Sequence, residues 1–195
     1  MTFSNPNIEQ GIHIDAFSRL FDEAPFELIN GERIPLMPGV ASHGKTIRAI
    51  MRLLDNFVHD NALGQVFTEM PFVLVEKTDW VTGSRVPDVM FFSKARFDAY
   101  TASDSDWETK PFILIPDLAV EVVSPNDKFS DVTKKAEKYL EDGVQLVWVV
   151  DPQQKQVIVY QQGEKILLKL SESDTISGGD VIPKFTASIA DFFKL

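Results

Sequence analysis

Residues 116–127 read PDLAVEVVSPND, and the fold is decided by this run together with the helix and strand that come after it. Residues 117–123 (DLAVEVV) are apolar except for their acids, the pattern of a central strand buried on both faces, and Ser124-Pro125-Asn126-Asp127 stops it. Residues 127–142 then show a helical pattern, Gly143 stands where helices end, and residues 146–150 (LVWVV) form a second buried strand. Two strands joined through a helix must run parallel, because the crossover returns the chain to the same end of the sheet.

Working outward, residues 26–37 set Asn30-Gly31 between two short apolar runs, which predicts a hairpin. Residues 42–60 place Ile47, Ile50, Met51, Leu54, Phe57 and Val58 on one helical face, with Ser42 as N-cap. Residues 65–76 and 85–92 predict two antiparallel strands, with residues 78–84 as a turn-rich connection and the polar residues 100–110 as a surface loop. Residues 156–161 and 165–170 form a hairpin around Gly163, and a mixed tail runs from 176 to 195. The expected fold is α/β (α+β), a mixed sheet flanked by helices. It forms a single domain, 1–195, whose first 25 residues are an N-terminal extension. Trp148 and the Phe91-Phe92 pair fall inside buried strand patterns and read as core rather than as base-stacking platforms.

The composition, 44% hydrophobic and 25% charged, is that of a globule with a core and excludes global disorder. No cysteine is present, which removes disulfides, thiolate metal ligation and a cysteine nucleophile, so any metal must be held by oxygen or imidazole. No apolar run is long enough to span a bilayer and the first residues lack a basic, apolar leader, so a cytoplasmic location is expected. The formal charge of -10 opposes a polyanion at long range, and a metal site or a locally basic groove must overcome it if nucleic acid is the substrate.

Two acids stand where acids are costly. Glu121 lies among Ala119, Val120, Val122 and Val123, and Asp88 precedes Val89-Met90-Phe91-Phe92. Carboxylates converging from neighbouring strands make a hard-oxygen site suited to Mg²⁺ or Mn²⁺. The structural alternative has Asp88 capping a loop and Glu121 paired with Arg85 or a lysine. Gly-rich phosphate loops, serine elbows and His-rich metal motifs are lacking, which leaves hydrolysis by a metal-activated water.

Pro87-Asp88 on one strand, Glu121 in an apolar strand, then a helix and another apolar strand resemble the PD-(D/E)XK nuclease superfamily. The set FELINGE (26–32), His43, RVPDVMFF (85–92), PDLAVEVVSPND (116–127), DVTKKAEKYLEDGV (131–144), VWVVDP (147–152) and SGGDVIP (177–183) is similar to the Uma-type family of restriction endonuclease-like proteins, from about Phe26 to Phe193. The resemblance implies a restriction endonuclease-like sheet with additional N- and C-terminal strands, and Mg²⁺- or Mn²⁺-dependent hydrolysis of nucleic acid, DNA above all. It implies that Asp88, Glu121 and the Val122 carbonyl bind the metal. The superfamily's lysine two positions after the second acid is Val123 here.

The resemblance puts a lysine and an aromatic residue on the next helix at Lys135 and Tyr139. Asp131, Lys135 and Tyr139 share a helical face, against which stands an ordinary Asp131–Lys135 surface pair; Lys134 and Lys138 are the neighbouring alternatives. Glu32 is the expected third acid, while Glu27, which also matches, reads as the partner of a base. His43, Arg85, Lys45 and Arg48 are expected to contact substrate phosphates, although a solvated face also explains the stripe of Lys45, Arg48 and Arg52. The competing function is a catalytically degenerate nuclease fold that binds nucleic acid or protein, and the C-terminal strands suit a homodimer.

Overall fold

The computed structural model describes residues 11–194 except 38, 126, 128, 165 and 166. The chain enters through β1 (Ile12–His13) and α1 (Ile14–Glu23), an amphipathic helix burying Ile14 and Phe17 where the sequence suggests only an extension. The hairpin of β2 (Phe26–Ile29) and β3 (Glu32–Pro35) forms as expected, and Asn30 and Gly31 turn it at φ 52° and 80°, which these two residues tolerate best. In α2 (Ala41–Asp60) the residues Ile47, Ile50, Leu54 and Val58 are buried, as the spacing requires. Its N-cap is Val40, with no side-chain bond, so Ser42 sits inside the first turn instead of capping it.

The next region departs from expectation. Residues 65–76 are two strands, β4 (Gly64–Thr68) and β5 (Phe72–Lys77), in different sheets. Glu69 at φ 54° and Pro71, which has no N–H to give a ladder, break the run. Only Thr78 and Asp79 make the turn after β5, and β6 (Trp80–Arg85) pairs with β5, so most of the expected connection is strand. After β7 (Val89–Ser93) comes α3 (Lys94–Ser103), which buries only Phe97 and so carries no apolar stripe by which to recognise a helix.

The decisive segment forms β8 (Leu118–Val122), α4 (Phe129–Asp142) and β9 (Leu146–Asp151), with β8 and β9 parallel and Gly143 ending the helix at φ 109°. β10 (Gln156–Gln161), β11 (Leu168–Ser171), β12 (Thr175–Ser177) and β13 (Thr186–Ser188) complete the chain; Lys165 and Ile166, in the expected strand 165–170, lie outside the described residues. The central sheet has the order β11-β10-β9-β8-β7-β4, and a second sheet has the order β1-β6-β5. The β2–β3 hairpin docks on β6, where Leu28 N donates to Ser84 Oγ at 2.7 Å and Arg85 Nη1 donates to Leu28 O at 3.0 Å.

Alternation along β8 separates the two layers. Leu118, Val120 and Val122 pack with Ile50 and Leu54 of α2 and with Trp148, whereas Ala119 and Val123 pack with Val132, Ala136 and Tyr139 of α4. Glu121 has the parity of Ala119 and Val123 and therefore faces α4. Asp88 has the parity of Met90, which lies in that same layer, and the β7–β8 register carries Asp88 to the position opposite Glu121. Trp148, Phe91 and Phe92 are fully buried, as their patterns predict. No helix among the described residues is long and apolar enough to cross a membrane.

Candidate active site

The strand end where β7 meets β8 gathers three carboxylates. Glu121, 7% exposed, comes from β8, and Asp88 from the residue before β7. Glu27, 5% exposed, comes from β2, where Phe26 and Leu28 are also buried; its Oε1 accepts the Val86 N–H at 2.9 Å, two residues from Asp88. The docking of the hairpin on β6 thus delivers Glu27 to the acids of the central sheet.

Two further side chains answer them. Lys135 Nζ lies 3.0 Å from Glu121 Oε1, 3.1 Å from Glu121 Oε2 and 3.1 Å from Glu27 Oε1. Tyr139, one turn further along α4, donates its hydroxyl to Glu121 Oε1 at 2.5 Å. The shared face of Lys135 and Tyr139 is as expected, but the partners of Lys135 are Glu121 and Glu27 rather than Asp131, which is exposed and takes the Ser130 hydroxyl. Asp88 has other company: its Oδ2 accepts the Val122 N–H at 2.6 Å and lies 3.3 Å from His43 Nε2 in the first turn of α2.

Burial is the leading cause that pushes the Glu121 carboxyl well above the usual range; Lys135 pulls it back, and the Asp88 and Glu27 charges push it further. For Lys135 burial acts downward, but Glu121, Glu27 and Asp88 outweigh it and raise the ammonium above its ordinary value. His43 is raised chiefly by its hydrogen bond to Asp88, against the opposing effect of burial, with the Val122 backbone and Glu121 assisting. Two of the three carboxylates, Glu121 and Glu27, thus share the positive charge of Lys135, while Asp88 faces His43.

The donor set, Asp88, Glu121 and the Val122 carbonyl, is all hard oxygen and fits Mg²⁺ or Mn²⁺. Among the described residues no three His, Cys, Asp or Glu side chains stand close enough to hold a metal by themselves, so the backbone carbonyl and water must complete any such shell.

Other expected members lie elsewhere. Glu32 is exposed, across the hairpin from Ile29, and the third carboxylate at the cluster is Glu27. Four-residue β2 is covered on both faces, so alternation gave no signal for choosing between the two glutamates of FELINGE. Arg85 is 2% exposed and its Nη2 lies 2.9 Å from Asp142 Oδ2, a buried ion pair with no access to substrate. Lys45 and Arg48 lie on the face of α2 turned away from the buried residues Ile47, Ile50 and Leu54, on the other side of the helix from His43. Tyr139 was legible only as an aromatic residue at family spacing; its hydrogen bond comes from the approach of α4 to β8.

Comparison with known proteins agrees with this architecture. The crystal structure of a putative nuclease belonging to DUF820 from Anabaena variabilis ATCC 29413 matches with a TM-score of 0.73 at 23% identity, covering 93% of this chain and 97% of that one. That likeness establishes the fold. No curated protein matches the chain. The model of the Uma2 family, described as "Putative restriction endonuclease", matches residues 14–190, beginning at α1 and taking in all three carboxylates, His43 and Lys135. A match over nearly the whole chain makes this protein a member of the Uma2 family.

Proposed function

We propose that the protein is a divalent-cation-dependent nuclease that hydrolyses phosphodiester bonds, with Asp88, Glu121 and the Val122 carbonyl holding Mg²⁺ or Mn²⁺. The observation that carries this reading is the charge imbalance of the cluster. Three partly or fully buried carboxylates gather at one strand end, where Lys135 touches Glu121 and Glu27 and His43 meets Asp88, an arrangement costly for a structural site and suited to one that takes up a dication. Such a cation supplies Lewis acidity toward the phosphate and acidifies water.

The chain's own groups divide the remaining work. Lys135, held between Glu27 and Glu121, stands on the α4 side of the strand end, the side on which Val123 offers only a hydrocarbon. Its ammonium orients the attacking water and balances charge developing on the phosphoryl oxygens. Tyr139 fixes the rotamer of Glu121 through Oε1, and Glu27 fixes Lys135. His43, in the first turn of α2 beside Asp88, would contact a phosphate oxygen together with the N–H groups of that turn, which no side chain caps. The substrate class, nucleic acid and DNA in particular, comes from the family description and belongs to the proposal.

The test uses supercoiled plasmid and single-stranded DNA with Mn²⁺, Mg²⁺ or excess EDTA. Cleavage with either cation and none with EDTA is expected. If no substrate is cut with Mn²⁺ present, the competing reading of a degenerate, binding-only nuclease fold takes its place.

A further inference from the structure

Of the seven large hydrophobic side chains exposed among the described residues, four, Ile34, Met37, Val40 and Met70, belong to elements that border the carboxylates. Scattered singly, such residues need no explanation, but these are not scattered. Ile34 stands directly opposite Glu27 in the β2–β3 pairing, on the same face of the hairpin, which sets their Cβ atoms about 4.5 to 5.5 Å apart. The Leu36 N–H donates to Pro25 O at 3.0 Å, continuing the bonding of that hairpin, and Val40 caps the helix that carries His43. Met37 therefore lies on the short passage between the element that brings Glu27 and the element that brings His43. The passage runs against the histidine, since a Cβ on Gly39 would come within 3.1 Å of His43 Nδ1. From the direction of β4, the Glu69 N–H donates to Pro87 O at 3.2 Å, which brings the turn carrying Met70 alongside Pro87 and Asp88.

The side chains of Asp88, His43 and Lys135 keep 15%, 13% and 24% exposure, so the cluster opens to solvent between these elements. Around that opening Met37 is 85% exposed, and Val40, Ile34 and Met70 are 40% to 44% exposed. Apolar surface at a polar opening restricts what can rest there. Hydrocarbon and thioether groups give a phosphate or a sugar hydroxyl no hydrogen bond. They suit the flat faces of nucleobases, and the unbranched, polarisable side chain of methionine adapts to the face of any base. In a stacked helix those faces are covered by their neighbours. The rim reaches them only on a nucleotide that has left its stack, and Met and Ile are among the apolar side chains that part base steps.

We propose that Ile34, Met37, Val40 and Met70 form an apolar rim that packs against the face of an unstacked nucleobase next to the phosphate held at the carboxylates. The rim selects nucleotides by stacking state and not by base identity, because none of its side chains offers a hydrogen bond to a base edge. The proposal rests on the nuclease reading for the position of that phosphate, and its test is independent of cleavage. An unstacked base has two sources, a single strand or a base turned out of a duplex, and the test separates them.

Fluorescence anisotropy with the full chain, in Ca²⁺ and in EDTA, compares a labelled DNA strand with a strand of equal length whose nucleotides are abasic. A second pair of ligands is a duplex with one bulged base and the same duplex with an abasic residue at the bulge. A variant carrying Met37→Ala and Met70→Ala is set against a control carrying Leu167→Ala and Leu168→Ala, an equally exposed apolar pair at the β11 edge of the sheet. The parent should prefer base-bearing ligands about tenfold, the return on burying roughly 60 Å² of apolar surface. The methionine variant should lose that preference, binding base-bearing ligands about tenfold more weakly and abasic ones within about twofold of the parent. Its slope of log K against log salt should be unchanged, since no phosphate contact is removed. The control should match the parent throughout. Which pair of ligands shows the loss, strand or bulged duplex, names the source of the base.

Equal affinity of the parent for base-bearing and abasic ligands, an equal loss on both in the methionine variant, the same loss in the control, or no binding by the parent overturns the proposal. So does sedimentation showing that the methionine substitutions break a dimer of this chain, which would make the rim a contact between subunits. A parent whose base-dependent binding falls with the methionines yet which never cleaves with Mn²⁺ removes the nuclease reading and leaves the rim standing. Cleavage by a parent that binds base-bearing and abasic ligands alike does the reverse.

Discussion

Replacing Lys135 with methionine is expected to slow phosphodiester cleavage on the order of 10² to 10³-fold, about 3 to 4 kcal/mol of transition-state stabilisation, while divalent-cation binding persists. The ammonium touches Glu121 and Glu27, so its orientation is fixed before substrate arrives, and a preorganised charge costs nothing to align at the moment of reaction. Methionine keeps the apolar stem beside Tyr139 and deletes the charge. The variant also leaves two buried glutamates without their cation, and Glu121, already pushed upward by burial, will take a proton in the metal-free protein.

Glu27→Gln added to Lys135→Met removes one of those stranded charges and should restore stability without restoring rate. Circular dichroism and single-turnover cleavage separate the two effects. If the methionine variant cuts as fast as the parent while Asp88→Ala is inactive, the role belongs to another lysine. Lys134 is exposed, and Lys138 is engaged by Glu141 at 2.9 Å.

Asp142→Asn is expected to lower stability by about 3 to 5 kcal/mol, because it leaves a buried guanidinium without its counter-charge. Arg85 and Asp142 side chains are 2% and 5% exposed and meet at 2.9 Å. Arg85 Nη1 also donates to Leu28 O at 3.0 Å and to Ser84 O at 2.7 Å, so one guanidinium ties together the hairpin, β6 and the end of α4. Asparagine preserves shape and an acceptor but not charge. The double change Arg85→Met with Asp142→Leu should recover most of the loss, since a buried ion pair is often replaced by apolar side chains at little cost. Urea midpoints measure both. A loss below about 1 kcal/mol for Asp142→Asn would mean that Arg85 finds water when its partner is removed. Because the same guanidinium seats β2, weakening it should also loosen Glu27, which the cleavage rate of the variant reports.

The central part of the fold was legible because its signals are strong and local. A continuous apolar run at β8, a helix closed by Gly143 and a second apolar run at β9 leave one arrangement, and Asn30-Gly31 leaves one kind of turn. The region of residues 64–93 was not, since β4 and β5 have similar compositions and only a bend at Glu69 sends them to different sheets. α3 escapes sequence reading because it buries only Phe97, whereas α1 carries Ile14, Phe17, Leu20 and Phe21 at helical spacing, a signal that lies ahead of the family-like stretch beginning near Phe26.

At the site, Asp88 and Glu121 were visible as acids with apolar neighbours, and Lys135 from its helical spacing within the family pattern. Glu27 is the partner of a base, as expected, but neither the identity of that base, Lys135, nor the Asp142 partner of Arg85 was legible, because each lies 50 or more residues away in the chain. Sequence periodicity records which face of an element a residue occupies, not which other element that face meets. Charge is the clearest instance. Arg85 looked like a phosphate contact because it precedes Val86-Pro87-Asp88, yet its side chain is spent on the opposite task of holding the scaffold.

The most direct measurement is a calorimetric titration of the protein with Mn²⁺. One site of millimolar or tighter affinity is expected in the parent and in Lys135→Met, with a rise in melting temperature by mass action, and none in Asp88→Ala or Glu121→Ala. Absence of binding to the parent at millimolar Mn²⁺, or a site that survives loss of both carboxylates, would contradict the assignment of this strand end as a metal centre.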